Sequence, residues 1–375
     1  MSKDITYKIK DSVDLFLSNE TYLMAYYMNS RQRKSFRVNK EMVILIEMID
    51  GETPLSKVKD RLKSEYNINP SYVDFIIELM VRNRIVAPIS KDVNEINETD
   101  LVRFTRQINY FTEFLDSEVM GINAQIKLMK SKVIIFGCGA IGGNIALELV
   151  MSGVRNITLF DDDIVEKSDI SRHLFYKEKY IGMKKTFALK EELVDVDNNV
   201  LVKCINNYMY PESKIEQEIM EADFIINTLD EPYIGYTSSK ISRVCVKYNK
   251  PHYIAGGFDA HLASTGELII PYVTPCVDCY ASYFKVKLKD WKPKKHPVRE
   301  RFREIGGLSS MALFSSSYAC IEIIKYLSGI IEMKKEYKAR GEFLIDNMTI
   351  TYLDLQRNSS CPICGGRANT NEPKA

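Results

Sequence analysis

From Ile5 to Tyr27 apolar side chains fall in short alternating runs, YKI, VDLFL and YLMAYY, broken around Asp11 and Asn19. This texture predicts two or three small strands. The period then lengthens. Helix-spaced apolar positions fill residues 39–50 up to Gly51, then Pro54 to Tyr66, then Pro70 to Asn83, before the apolar run IVAPI. Strands, three short helices and a closing strand describe a small α+β, winged-helix-like domain over residues 1–95. Residues 91–100 (KDVNEINETD) are polar and charged, as a linker is. Two further helical stretches reach Ser131. Beyond it KVIIF, NITLF, LVKCI, FIINT and PHYIA alternate with helix-length segments, which predicts an α/β domain over residues 101–375 built on a doubly wound, mostly parallel sheet.

Charge narrows the partners. The 375 residues carry 51 Lys and Arg against 50 Asp and Glu, so no global field draws the chain to nucleic acid or an anionic membrane. Residues 1–95 repeat the balance with 15 cations and 14 carboxylates. Winged-helix modules often bind DNA, but this third helix carries Tyr72, Phe75, Ile76, Leu79 and Met80, too apolar for a major groove. A strand edge or helix groove that accepts an extended peptide fits better, with plain packing or dimerisation as the bland alternative. The N-terminus, MSKDITYKIKD, has no apolar signal-like core. The richest apolar stretch, residues 311–331, is broken by Ser315, Ser316, Ser317, Glu322 and Lys325, so no membrane span is expected and a cytoplasmic location is.

Candidate chemistry begins where KVIIF runs into Gly137, Gly139 and Gly142 in G-x-G-x-x-G spacing, followed by the helical IALELVMSG. Such glycines give a tight, Rossmann-like turn and let backbone approach a phosphate at a helix N-terminus. Asp161, nineteen residues after Gly142 at the end of NITLF, is placed to accept from a ribose hydroxyl. An NAD enzyme would share both features. Arg172, eleven residues on, and Lys185, thirteen further, tip the balance, because two more cations suit a triphosphate and its transition state better than hydride transfer. Asp230 in IINTLDEP closes a strand at its carboxyl end, where a carboxylate can hold Mg²⁺ against phosphates.

Cysteines add a metal. Cys276 and Cys279 in TPCVDCY, with Cys361 and Cys364 in SSCPICGG, form two C-x-x-C pairs, the tetrahedral four-thiolate set of structural Zn²⁺, with no position left open for water. Cys320 lies in the helical run YACIEIIKYL and reads as packing.

The succession of G-x-G-x-x-G, L-F-D-x-D, S-x-x-x-R, G-x-x-K, a strand ending at Asp230 and two C-x-x-C pairs resembles the superfamily of ThiF, MoeB and the ubiquitin-activating enzymes, over residues 101–367. The resemblance implies adenylation of a carboxylate with ATP and Mg²⁺ by a homodimer. It further implies Asp161 (with Asp163 of the same motif) on the ribose, Arg172 and Lys185 on the phosphates, Asp230 on magnesium, and Arg106 in RFTRQ reaching the γ-phosphate held by the opposite subunit. Asp169 stands where the superfamily usually has Asn, next to the phosphates, and His173 where it has Gln. Relatives that form a thioester or acyl disulfide often use a cysteine after the first zinc pair. Residues 280–319 have none. In its place residues 284–303 hold nine Lys and Arg against Asp290 and Glu300, suited to a solvated loop or a lid over an acidic peptide.

An N-terminal peptide-clamp-like domain joined to such an adenylating domain is similar to the branch that modifies ribosomally made peptides, as in microcin C-type and pantocin-type antibiotic biosynthesis. A precursor (leader) peptide is the expected partner, and activation of one of its carboxylates the expected reaction. Two other functions fit in part. One is adenylation of a sulfur-carrier protein for molybdopterin or thiamine synthesis; the other is non-catalytic delivery of a leader peptide.

Overall fold

The computed structural model describes residues 4–18, 21–89, 95–115, 117–171, 173–259, 262–290, 307–331, 338 and 340–366. The chain divides into two compact units, Met1–Ile126 and Lys127–Ala375.

In the first unit, β1 (Thr6–Ile9) lies between β5 (Asp50–Pro54) and β6 (Val86–Ile89), antiparallel to both. A separate antiparallel meander is formed by β2 (Val13–Ser18), β3 (Tyr22–Tyr27) and β4 (Gln32–Arg37), in that order. The helices α1 (Lys40–Glu47), α2 (Leu55–Tyr66) and α3 (Pro70–Arg82) start and stop on local chemistry. Asn39 caps α1 by accepting from the Met42 N–H, Asn69 caps α3 ahead of Pro70, and α2 ends on Asn67 in the left-handed region. Val13, Leu23, Ala25 and Tyr27 pack against Leu45, Leu62, Val73, Ile77 and Met80 in one core. Ile76 and Met80 of the apolar third helix are buried there, and only Phe75 of its five marked residues is exposed. Most of that apolarity is therefore core packing. Helices α4 (Glu98–Thr112) and α5 (Glu118–Lys130) follow.

In the second unit, β7 (Lys132–Phe136), β8 (Asn156–Phe160), β9 (Leu201–Ile205), β10 (Phe224–Asn227), β11 (His252–Ile254) and β14 (Glu267–Ile269) form a six-stranded sheet in the order β14-β11-β10-β7-β8-β9. All neighbours are parallel except β11 and β14. The strands connect through α6 (Ala140–Met151), α7 (Lys185–Val196), α8 (Glu216–Glu221) and α9 (Ile234–Lys247). The α/β, mostly parallel architecture expected from the alternating runs is thus present. A four-stranded antiparallel sheet, β12 (Phe258–Asp259), β13 (Leu262–Ser264), β15 (Gly341–Leu344) and β16 (Thr349–Tyr352), adjoins it, together with α10 (Val277–Lys287) and α11 (Ser309–Ser328). Helix α11 packs on α6 through small residues, with Ser316 Oγ donating to the Ile141 carbonyl and the buried Cys320 thiol facing that of Ile145. Cys320 is a packing residue.

Register sets up the site. Phe136 pairs with Phe160 on one side and with Asn227 on the other, so β7, β8 and β10 end level. Strand order reverses at β7, and a crevice at the carboxyl ends of such strands is where open α/β sheets bind ligands.

Candidate functional site

The turn from β7 to α6 closes on itself at two glycines and opens at a third. Gly137 has φ +98°, and a Cβ there would stand 2.4 Å from Thr228 Oγ1. A Cβ on Gly142 would stand 2.0 Å from the Gly137 carbonyl oxygen. Gly139, the N-cap of α6, faces open space instead. Backbone N–H groups at a helix N-terminus beside an open glycine make a cradle that fits a phosphate. Thr228, which follows β10, stabilises the turn from the neighbouring strand: its Oγ1 lies 3.0 Å from the Phe136 carbonyl and 3.1 Å from that of Gly137. Nothing in the glycine spacing points to Thr228; its place at the end of FIINT was the available signal.

The carboxylates after β8 have unlike surroundings. Asp161 is buried, and its two oxygens accept from the Cys138 N–H at 2.6 Å and the Asp163 N–H at 2.7 Å. Burial pushes its carboxyl up, while those two donors oppose the shift. Asp163 is exposed and meets Lys185 Nζ at 2.9 Å. Lys185 opens α7, held by its N–H on the Asp163 carbonyl, with its side chain mostly buried. Burial alone would lower its pKa, but the hydrogen bond to Asp163 and the charges of Asp163, Asp169 and Asp161 outweigh it and raise it. The preceding pair repeats the arrangement, Lys184 Nζ lying 2.7 Å from Asp162.

Asp169 is buried as well. Its carboxylate accepts from the Glu166 N–H and stands 3.9 Å from Lys185, and His173 Nδ1 is 2.5 Å from its carbonyl oxygen. Asp169 shares Lys185 with the nearer Asp163, one cation between two carboxylates. Arg172 lies outside the described residues, as do residues 291–303 of the basic loop.

Asp230 is exposed just beyond β10. Its loop is held from behind: the buried Asn227 accepts from the Leu229 N–H and donates toward Thr237 and Ser238 of α9, and Thr237 Oγ1 donates to the Leu229 carbonyl at 2.6 Å. The structure therefore gathers Gly137, Gly139, Gly142, Asp161, Asp163, Asp169 and Lys185 around one turn, with Asp230 on the adjoining loop. Arg106 is exposed on α4 of the first unit.

Elsewhere in this unit Cys276, Cys279, Cys361 and Cys364 are all buried, with their sulfurs within 4.8 Å of one another. Neighbouring sulfurs are 3.4–3.9 Å apart. That is too far for a disulfide and near the ~3.8 Å expected between thiolates bound tetrahedrally at about 2.3 Å from one Zn²⁺. Cys276 caps α10, and the Gly365 N–H on the Cys361 carbonyl, with Arg357 on that of Cys364, fixes the second pair. The donor set fits zinc.

Comparison with known proteins adds three findings. The profile of the ThiF family matches residues 104–363. The sulfur carrier protein ThiS adenylyltransferase of Escherichia coli is 27% identical over 275 residues, 72% of this chain and 98% of that protein. Among solved structures, the microcin C7 biosynthetic enzyme MccB in complex with N-formylated MccA superposes with a TM-score of 0.68 at 18% identity, covering 96% of this chain and 99% of that one; PaaA gives 0.69 at 17% identity over 93% and 100%. MccB has also been solved with ATP.

Proposed function

The chain belongs to the ThiF family, whose members are ATP-dependent adenylyltransferases, and we propose that it activates a carboxylate of a ribosomally made precursor peptide during peptide-antibiotic biosynthesis. The observation that carries this is one of extent. The family match begins at residue 104, whereas the likeness to MccB and PaaA takes in nearly the whole chain and so includes most of the first unit. In that unit the β2-β3-β4 meander has, among the described residues, open edges on which an extended peptide can pair as a further strand.

Each residue has a proposed task. The Gly137–Gly142 turn receives phosphate oxygens at Gly139. Asp161 accepts from the ribose, each of its oxygens keeping a second acceptor position beside the backbone N–H it holds, with Asp163 alongside. Lys185 and Arg172 neutralise charge on the phosphates. Asp230 would hold Mg²⁺, which supplies further charge neutralisation, and the four cysteines would hold Zn²⁺, which ties residues 361–364 to α10. In a homodimer Arg106 serves the partner subunit's nucleotide. The peptide carboxylate is ionised at neutral pH and needs no general base. One of its oxygens attacks the α-phosphorus, the bond to pyrophosphate breaks, and a mixed anhydride with AMP remains, from which a nucleophile attacking the acyl carbon displaces AMP. Catalysis of this kind is positioning and charge stabilisation.

Asp230→Ala and Arg172→Ala should each lower peptide-dependent pyrophosphate release by roughly 10²-fold or more. Equal activity of these variants and the parent would remove the assignment. A second reading, adenylation of a carrier protein, is favoured by the match to the ThiS adenylyltransferase; pyrophosphate release that required a small carrier protein and ignored peptides would establish it instead.

A further inference from the structure

Strand β4 differs in charge from the rest of its unit. Residues 28–40 contain Arg31, Arg33, Lys34, Arg37 and Lys40 and no Asp or Glu. Other cations nearby sit against carboxylates: Lys8 by Asp11 and Glu118, Lys59 by Asp74, Arg61 by Glu65, Arg82 by Glu78. Among the described residues none of the five has such a partner; Arg33 lies over the Tyr26 ring, and Lys34 lies over the Tyr27 ring and reaches the Asn83 side chain.

Among the described residues the strand is also an open edge, last in the order β2-β3-β4. The Val38 N–H donates to the Thr21 carbonyl. Alternation along an antiparallel pair then turns the backbone of Phe36, Lys34 and Gln32 toward β3 and leaves the N–H and C=O groups of Arg33, Ser35 and Arg37 on the open side. The same alternation puts these three side chains on one face, where all are exposed. Opposite them across the strand pair stand Tyr26, Met24 and Tyr22.

Given a precursor peptide paired on β4, we infer that its docking segment carries acidic side chains four residues apart, one beside Arg33 and one beside Arg37, with a small or polar residue between them facing Ser35. This rests on the peptide-activating function proposed above and names the class of its substrate. An added strand has the same two-residue period as β4, so its neighbours of Arg33 and Arg37 are residues i and i+4. Opposite charges across strands attract and like charges repel. A nucleic acid would use the cations and leave the open backbone groups unmatched, which favours a peptide.

The test uses the full chain and a labelled nine-residue probe, Ser-Thr-Glu-Val-Ser-Val-Glu-Thr-Ser, read by fluorescence anisotropy. It should bind roughly tenfold or more tightly than the same peptide with Lys at both Glu positions. The double variant Arg33→Glu/Arg37→Glu should reverse that order, and as both side chains are exposed its melting temperature should match the parent's. Equal binding of the two peptides, or an order unchanged in the variant, would overturn the inference and leave the cations as guards of an open edge against aggregation. So would a single-stranded oligonucleotide that binds the parent, but not the variant, when the Glu peptide binds neither. ATP binding, measured alongside, depends on the second unit and reports separately on the adenylating function.

Discussion

Asp161 and Asp163 stand two residues apart at the end of one strand and do different work. The buried one accepts a backbone N–H on each oxygen; the exposed one meets Lys185. Asp163→Ala should therefore weaken ATP binding with little change in melting temperature, whereas Asp161→Ala should loosen the turn and lower both, as calorimetry and thermal melts would record. The glycines separate in the same manner. Gly142→Ala would drive a Cβ into the Gly137 carbonyl and should cost roughly 1–3 kcal/mol of stability, while Gly139→Ala should fold normally and lose nucleotide, since its Cβ would fill only the open cradle. Glu267 offers a pH test. Burial pushes its carboxyl up to about 7 from 4.5, with Arg340 acting against the shift. A carboxyl whose pKa is raised on folding contributes stability below its unfolded value that is lost as pH rises through its folded one, here about 3 kcal/mol over the window from 4.5 to above 7. Glu267→Gln should flatten the decline in melting temperature over that range; an unchanged slope would assign the loss to other groups. Spacing pointed to the glycines, Asp161 and Lys185, and the resemblance to Asp163 and Asp169. Spacing could not find Thr228 or the Asn227–Thr237 support, because those contacts join residues far apart in sequence or hidden within ordinary polar composition.

Among the elements, apolar strands were legible and polar ones were not. KVIIF and NITLF became β7 and β8 to the residue, since parallel strands covered on both faces are written as continuous apolar runs. β4, with the sequence QRKSFR, and β5, DGETP, gave no such signal: β4 is an edge with mostly exposed side chains, and β5 is short and polar. The residues 39–50 read as one helix accordingly split into α1 and the start of β5. The four-cysteine cluster was legible because paired thiols at fixed spacing have few other uses. Cys361→Ser or Cys364→Ser should release about one equivalent of zinc per chain and free the C-terminal segment to proteases, as four-thiolate sites lose their metal when one ligand is removed. Freshly purified, unchelated protein holding less than about half an equivalent would contradict the site.

At the scale of the whole molecule, the proposed function gives the two units two tasks, one gripping a peptide and the other activating it. Among the described residues no helix is long and apolar enough to cross a membrane. If Arg106 serves the opposite subunit, mixing Arg106→Ala with Asp230→Ala protein should restore part of the activity through hybrid dimers, and none should return, with subunit exchange verified, if each chain uses its own arginine. The most direct test of the central claim is pyrophosphate release by the full-length protein supplied with ATP, Mg²⁺ and synthetic peptides translated from short open reading frames beside its gene. The account predicts release, matched by AMP attached to or displaced from the peptide, with one such peptide and with no small carrier protein. Release that needs a carrier protein and ignores every peptide, or tight binding of NADH with none of ATP, would contradict it.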